Sequence, residues 1–493
     1  MNWIVSNRQS FSLFLPEMLL IGVSILVLLH GAFFSGVRKF AVALGLLGVF
    51  GYIALSIQLL NLPSAMPLFS GAIAVDPFAV FFKIFFGFVT AITMILVYRS
   101  QEFQGYSLSE VVGFLLALTV GMSMMAASTD LIMMFLSLEM VSVLSYILVG
   151  YKKHSRVSAE AGLKYILYGA VASGVMMFGF SYLYGLAGST DLQDVAATVR
   201  TASISSAPIL FFALLCVLTG FGFKIATFPT QMWCPDVYEG AALPVTAFLS
   251  VGPKAAGFAL MIRFFYTLYG FGGSEVAQIF DFIHWGTLVA ILAALTMTVG
   301  NLAAIGQHNI KRLMAYSSIA HAGYLLMGFA ALSTEGIRAI LFYLVTYFLM
   351  NFGAFIVILM IADRLGTEEI DGYRGLGWRS PILAATFSIF LFSLTGLPPF
   401  AGFVGKFFLF AAVIKGGMYW LAVIAVINSV ISLFYYARII KAMYLETPLE
   451  LTPVAVSKTY RSLACLMALP TIVLGIYWEP VIAFAARSVA PLF

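Results

Sequence analysis

Apolar stretches of about 20 residues recur from one end of this chain to the other, separated only by short runs of Gly, Pro and charge. A stretch of that length spans the ~30 Å hydrocarbon core as an α-helix, which satisfies each backbone N–H and C=O within itself. A β-barrel would show shorter, alternating segments, so helices are expected to carry the chain across. Charged residues make up 10% of the 493 positions, against about 25% in soluble domains, which leaves no room for an extramembrane domain between the spans. The reading is an all-α polytopic membrane protein.

Charge and cysteine content narrow the function. A formal charge of +5, spread over loops, leaves no nucleic-acid footprint and points to the lipid bilayer as partner. Cys216, Cys234 and Cys465 form no C-x-x-C, and there is no Gly-rich nucleotide fingerprint, so neither a metal nor a bound cofactor is expected in this chain. The opening MNWIVSNRQS lacks the basic n-region of a secretory signal, so the first apolar run is expected to be a retained helix.

Hydropathy and breakers predict helices over 12–31, 40–61, 76–98, 109–127, 130–150 and 159–187, then 207–228, 243–269, 277–301, 310–332, 335–362, 381–412 with an interruption, 417–443 and 459–483. Fourteen crossings put both termini on one side. Loops after odd-numbered helices hold fifteen basic residues and the opposite face six, counting Arg263 and Arg338 among the six. The positive-inside rule then places both termini on the outer, periplasmic side, in a bacterial inner membrane.

The stretch Leu218 to Gly240 sets a lysine, Lys224, in an apolar run that Pro229 then breaks. Leu218-Thr219-Gly220 recurs as Leu394-Thr395-Gly396, followed by Pro398-Pro399 and Lys406. Helices 7 and 12 are an odd number apart and so cross in opposite directions, the pattern of inverted repeats with broken helices. The expected organisation is an N-terminal three-helix segment (1–108), a five-helix repeat (109–270), a second, inverted five-helix repeat (271–445) and a C-terminal helix (446–493). The same shift of 176 residues carries Glu139 to the neighbourhood of Tyr316.

Titratable residues inside spans form a second pattern. Glu139, Lys254, His321 and Lys406 each lie roughly 14–17 Å deep, which suggests a lateral polar track. Such a track suits proton handling, because a carboxylate beside a buried lysine can switch it between loading and releasing a proton. Glu139 with Lys224 is the candidate pair, with a static ion pair as the alternative reading. Pro253 is taken as a third helix break that gives water a foothold beside Lys254. His321 is either a relay or a packed core histidine. Lys83 is read as snorkelling, Glu160 and Lys164 as a helix-face pair or a proton uptake point, and His308 as a weak candidate at the surface. The acidic loop Asp363 to Asp371 reads as solvated.

Six ordered stretches carry a resemblance over nearly the whole chain: LSLEMVSVLSYILVGY, SAEAGLKYILYGA, FGFKIATFPTQMWCPDVYEGA, LPVTAFLSVGPKAAGFA, NIKRLMAYSSIAHAGYLLMG and SLTGLPPFAGFVGKFFLF. They resemble the antiporter-like subunits of proton-pumping NADH:quinone oxidoreductase, respiratory complex I. The opening LPEMLL and a lysine at 406 are most similar to the N branch of that family. The resemblance implies proton-translocating roles for Glu139, Lys224, Lys254 and Lys406. It also implies neighbouring membrane-arm subunits, another antiporter-like one included, with NADH, FMN, iron–sulfur clusters and quinone elsewhere in the complex. Many relatives have PFHxW after the helix 7 lysine; here Gln231 stands in the histidine's place, so no titratable group links Lys224 to the inner face at that position. The alternatives are a large subunit of a multi-subunit sodium/proton antiporter and a non-pumping scaffold.

Overall fold

The computed structural model describes residues 7–34, 38–62, 65–202, 204–270, 282–448, 453–454 and 457–490. Its described α-helices are α1 (Asn7–Leu13), α2 (Leu15–Phe33), α3 (Arg38–Gln58), α4 (Pro77–Arg99), α5 (Leu108–Ala127), α6 (Leu131–Val149), α7 (Arg156–Ala187), α8 (Leu192–Arg200), α9 (Ala207–Ile225) and α10 (Cys234–Gly240). They continue with α11 (Leu243–Tyr269), α12 (Trp285–Ile305), α13 (Ile310–Ala330), α14 (Thr334–Leu365), α15 (Leu376–Arg379), α16 (Pro381–Thr395), α17 (Ala401–Lys415), α18 (Tyr419–Leu445), α19 (Lys458–Ile476) and α20 (Glu479–Val489). A two-stranded antiparallel hairpin, β1 (Met66–Leu68) and β2 (Ile73–Val75), joins α3 to α4.

Among the described residues, twelve helices are long and apolar enough to cross a membrane, one of them the α9 to α10 segment. Helix α13 falls outside that set because its turns carry Ser317, Ser318, His321 and Tyr324, and α16 and α17 because each half is only 15 residues long. The chain is thus an all-α polytopic membrane protein. Its two innermost helices are α11, buried along its whole apolar stretch, and α14, buried along 94% of it. They pack against each other, α11 also against α4, α5, α6 and α9, and α14 against α13, α16, α17 and α19.

Local chemistry fixes the helix ends. Asp76 accepts from the Ala79 N–H to cap α4, with Pro77 in the first turn; Asp130 caps α6, Asn309 caps α13 and Ser333 caps α14 in the same way. The α7, α11, α14 and α16 helices end on glycines with positive φ, at Gly188, Gly270, Gly366 and Gly396.

Several sequence-based expectations change. Pro253 does not break its helix: α11 runs unbroken from Leu243 to Tyr269, because packing on every side holds it. The ninth helix is Trp285–Ile305 where described, and residues 277–281 of its expected range, like the expected boundary at 271, lie outside the described residues. The last expected helix divides into α19 and α20 around Tyr477 and Trp478. Arg263 is not a loop charge, since it is buried in α11 and paired with Asp76 at 2.8 Å. The acidic loop is partly structural: Asp363 accepts from Tyr460 Oη at 3.1 Å, and Glu368 pairs with Lys311 at 3.1 Å.

The match between the two helix breaks also changes register. At the first break, Ala226 takes a left-handed conformation, the Thr227 N–H bonds the Gly222 carbonyl and the Thr230 N–H bonds the Thr227 carbonyl. At the second break, Gly396, Leu397 and Phe400 make the same bonds, to Phe392 and Leu397, 170 residues further on. The Leu-Thr-Gly match at 176 is therefore not the structural one: Thr219 lies mid-helix, whereas Thr395 ends α16. A second pair of matching features has its own offset. Leu131 and Leu192 bond the carbonyls of Thr190 and Thr129; Ile310 and Ile370 bond those of Glu368 and His308. Between the caps Asp130 and Asn309 the offset is 179, which pairs Glu139 with Ser318 and Ser142 with His321.

Candidate functional site

Lys224 sits one residue before the end of α9 and is 2% exposed. Its Nζ donates to Ser142 Oγ at 3.1 Å. Glu139, one turn earlier on α6, makes no ion pair with it; the carboxylate is half-buried and its Oε1 has no hydrogen-bond partner among the described residues. The two remain neighbours along one helix face through Ser142.

The lysine stem packs over α11 at Gly257, where a Cβ would come within 3.2 Å of Lys224 Cγ. Gly257 is one turn from Lys254, so both lysines lie on one side of α11. Lys254 Nζ reaches across to α13, donating to the Ser318 carbonyl at 2.9 Å and Ser318 Oγ at 2.5 Å.

From there α13 serves as the spine. Three residues beyond Ser318, His321 Nδ1 lies 2.6 Å from Tyr343 Oη on α14, and its Nε2 lies 3.5 Å from Tyr436 Oη on α18. Three further on, the Tyr324 ring lies under Lys406 Nζ, 4.5 Å from its centroid. Lys406 closes the row by donating to the Thr395 carbonyl at 2.7 Å and Ser429 Oγ at 3.0 Å. That carbonyl is free because the break at Pro398 and Pro399 removes its intrahelical donor. The two lysines thus lie on opposite sides of their breaks, Lys224 before and Lys406 after. A cavity of about 240 Å³ opens beside Lys406 between α17 and α18.

What these lysines lack separates them from the other buried cations. Among the described residues, Lys224, Lys254 and Lys406 have hydroxyl and carbonyl partners and no ion pair. Lys83, Arg263 and Lys311 each hold a carboxylate. Lys83 does not snorkel: it is 1% exposed and bonded at 2.8 Å to Glu17, itself buried in α2. A carboxylate pair locks a charge in place. A lysine held by uncharged hydroxyl and carbonyl oxygens keeps its seat as ammonium or as amine, because either form can donate.

The family described as NADH:quinone oxidoreductase/Mrp antiporter, TM, matches residues 128–432. The chain belongs to this family. It is 45% identical to NADH-quinone oxidoreductase subunit N from an Anaeromyxobacter species, over 98% of this chain and 97% of that one. A chain in a structure of respiratory complex I from Thermus thermophilus is 31% identical, with a TM-score of 0.79 over 96% of this chain and 99% of the other. A chain of the Mrp complex from a Dietzia species shares the fold, with a TM-score of 0.81 at 20% identity over 97% of each chain.

Within this antiporter family fold, the remaining candidates fall at the basic end of the helices. Glu160 pairs with Lys164 at 2.7 Å, and Lys164 also bonds Asp236 at 2.7 Å. Arg312 then joins Asp236 at 2.8 Å and Glu239 at 2.6 Å, tying α10 to the start of α13. His308 is exposed and contributes its backbone carbonyl to the Ile370 N–H, apart from the row. Gln231 is buried between the break and α10, and its Oε1 has no hydrogen-bond partner among the described residues. Sequence reasoning missed Ser142, Ser318, Tyr343, Tyr436 and Ser429. Ser142 and Ser318 lie three residues from Glu139 and His321, but hydroxyls are too common for that to single them out, and Tyr343, Tyr436 and Ser429 have no suspected site residue within a helical turn. Among the described residues no cluster of His, Cys, Asp and Glu is suited to a metal ion.

Proposed function

We propose that this chain is a proton-translocating, antiporter-like subunit of the membrane arm of NADH:quinone oxidoreductase. The observation that carries the reading is the row Lys224, Lys254, His321 and Lys406, linked by Ser142, Gly257, Ser318 and Tyr324 and free of carboxylate partners. A proton taken up from the basic face, beside Lys164 and Asp236, moves along this row and leaves at the opposite face near Lys406. Glu139 sets the occupancy of Lys224 through space, its charge favouring the ammonium when ionised. In this reading the chain crosses the bilayer fourteen times, in two inverted five-helix units flanked by the N-terminal three helices and α19. Both termini lie on the outer side of a bacterial inner membrane. Removing Arg263 from the outer-face count strengthens the charge asymmetry behind that orientation. NADH, flavin, iron–sulfur and quinone chemistry belongs to other chains, and another antiporter-like subunit is a neighbour.

The test is donor-driven proton uptake by the purified complex in vesicles, comparing wild type with Lys254→Ala. The variant is expected to lose most proton transfer per electron pair, and pumping at wild-type stoichiometry would refute the role. The fold shared with the Mrp chain keeps one rival reading in play, a sodium/proton antiporter subunit. Purification without flavin and iron–sulfur subunits, together with sodium-driven proton exchange, would decide for it.

A further inference from the structure

Lys406 takes its two oxygen partners from different bodies. The Thr395 carbonyl ends α16, beside the break that precedes α17, whereas Ser429 Oγ comes from α18. Ser429 also donates to the Thr395 carbonyl at 2.8 Å, so the seat is a triangle that closes only while α18 keeps its rotation. Packing on the α17 side does not hold that rotation. The cavity of about 240 Å³ separates α17 from α18 at this level, lined by Phe403, Phe407, Val426 and Val430 as well as Ser429. Val426, Ile427 and Val430 are exposed in this chain, and only 39% of the apolar stretch of α18 is buried.

The opposite side of α18 supplies the direction that apolar contact lacks. Asn428, next to Ser429, is buried against α12, and its Nδ2 donates to Thr298 Oγ1 at 3.1 Å and to the Ile424 carbonyl at 3.0 Å. Asn301 on α12 is fully buried; its Nδ2 donates to Asn428 Oδ1 at 3.1 Å, and its Oδ1 accepts from Tyr435 Oη at 3.0 Å. Asn428 and Tyr435 lie two turns apart on one face of α18, and the single Asn301 amide reaches both. Apolar burial is non-directional and lets a helix turn about its axis, whereas two hydrogen bonds to one amide do not. An amide held in this way takes up no proton near neutral pH, so the pair positions and does not relay.

We propose that Asn301 is the positioning residue of the Lys406 seat, acting through Asn428 to hold Ser429 against the lysine. The inference rests on the pumping reading and adds to it the group that keeps the last lysine of the row in place. It is tested by proton uptake per electron pair in vesicles, with thermal unfolding of the same preparations. Asn301→Leu keeps the side-chain size and removes both bonds, and is expected to lower pumping about threefold, the population change set by one interhelical hydrogen bond in a membrane. Tyr435→Phe leaves the bond between Asn301 and Asn428 and is expected to lose less. Gly396→Ala displaces Lys406 directly, since a Cβ there would stand 2.8 Å from its Cδ. Adding Asn301→Leu to Gly396→Ala is expected to lower pumping no further, while the two losses of thermal stability add. A purely structural role would make both losses add. Should Asn301→Leu fail to assemble, Thr298→Val removes only an acceptor of Asn428 and is expected to give the same non-additive pattern. Wild-type pumping in Asn301→Leu or Thr298→Val beside a defective Gly396→Ala, or additive pumping losses, overturns the proposal and leaves the pumping reading standing. Wild-type pumping in Gly396→Ala overturns the role of Lys406, and this inference with it.

Discussion

Replacing Gly396 by alanine isolates the seat of Lys406 from the break that creates it. Gly396 has φ +89°, and a Cβ there would stand 2.8 Å from Lys406 Cδ and 3.3 Å from Nζ. The left-handed backbone by itself costs an alanine about 1–2 kcal/mol. The first break shows that this cost is bearable, because Ala226 already occupies the matching position at φ 59° with no lysine over it. The second effect is specific to Lys406, which must give way and weaken its bonds to the Thr395 carbonyl and Ser429 Oγ. Bonds from a charged donor contribute about 1.5–3 kcal/mol, so the seated lysine becomes roughly ten- to 150-fold less populated. The assay is proton uptake per electron pair by the complex in vesicles, with electron transfer followed on the same sample. Gly396→Ala is expected to assemble, oxidise donor and pump markedly less, while Ala226→Gly assembles and pumps as wild type. Wild-type rate and stoichiometry in Gly396→Ala would show that the seat observed for Lys406 is not used.

Two further predictions concern the buried pairs that frame the row. Glu17→Gln or Lys83→Met leaves one charge of a pair that is 1–2% exposed without its partner, and each is expected to destabilise the complex by about 3–5 kcal/mol. The double variant should recover much of that loss, which thermal unfolding of the purified complex would reveal; additive losses would refute the pairing. Asp76→Asn keeps a cap for the Ala79 N–H but loses the two-point contact with Arg263, at 2.8 and 3.0 Å, and is expected to cost about 3 kcal/mol or more. Asp76→Ala removes the cap as well and should cost about 1 kcal/mol beyond that in the same measurement.

Hydropathy, being local, was enough to read the membrane class, most spans and the positions of both breaks. Lys224, Lys254, His321 and Lys406 were legible for a related reason, since a titratable residue in the middle of an apolar run stands out against its own neighbours. Lys83 shows the limit of that signal. Read alone it was a snorkelling lysine, and only the packing of α2 on its neighbours brings Glu17 against it. Pro253 shows another limit, because a proline that breaks an exposed helix is tolerated in α11, where surrounding helices hold both flanks. The likeness of the two breaks was misaligned in sequence: three matching letters cannot reveal a register that depends on which N–H bonds which carbonyl, and the offset between like bonds is 179 at the caps and 170 at the breaks.

The sequence by itself determined that this chain lives in a bilayer as helices, where two of them break, and which side chains are expensive enough in hydrocarbon to need a purpose. Tertiary structure alone decided their partners. Arg263 found a carboxylate 187 residues away and became a fixed structural ion, whereas Lys254 found the uncharged hydroxyl and carbonyl of Ser318. Nothing near either residue in the chain distinguishes the two outcomes. The difference arises from how each helix is rotated against its neighbours, which sets whether an ion or a neutral oxygen meets the buried charge.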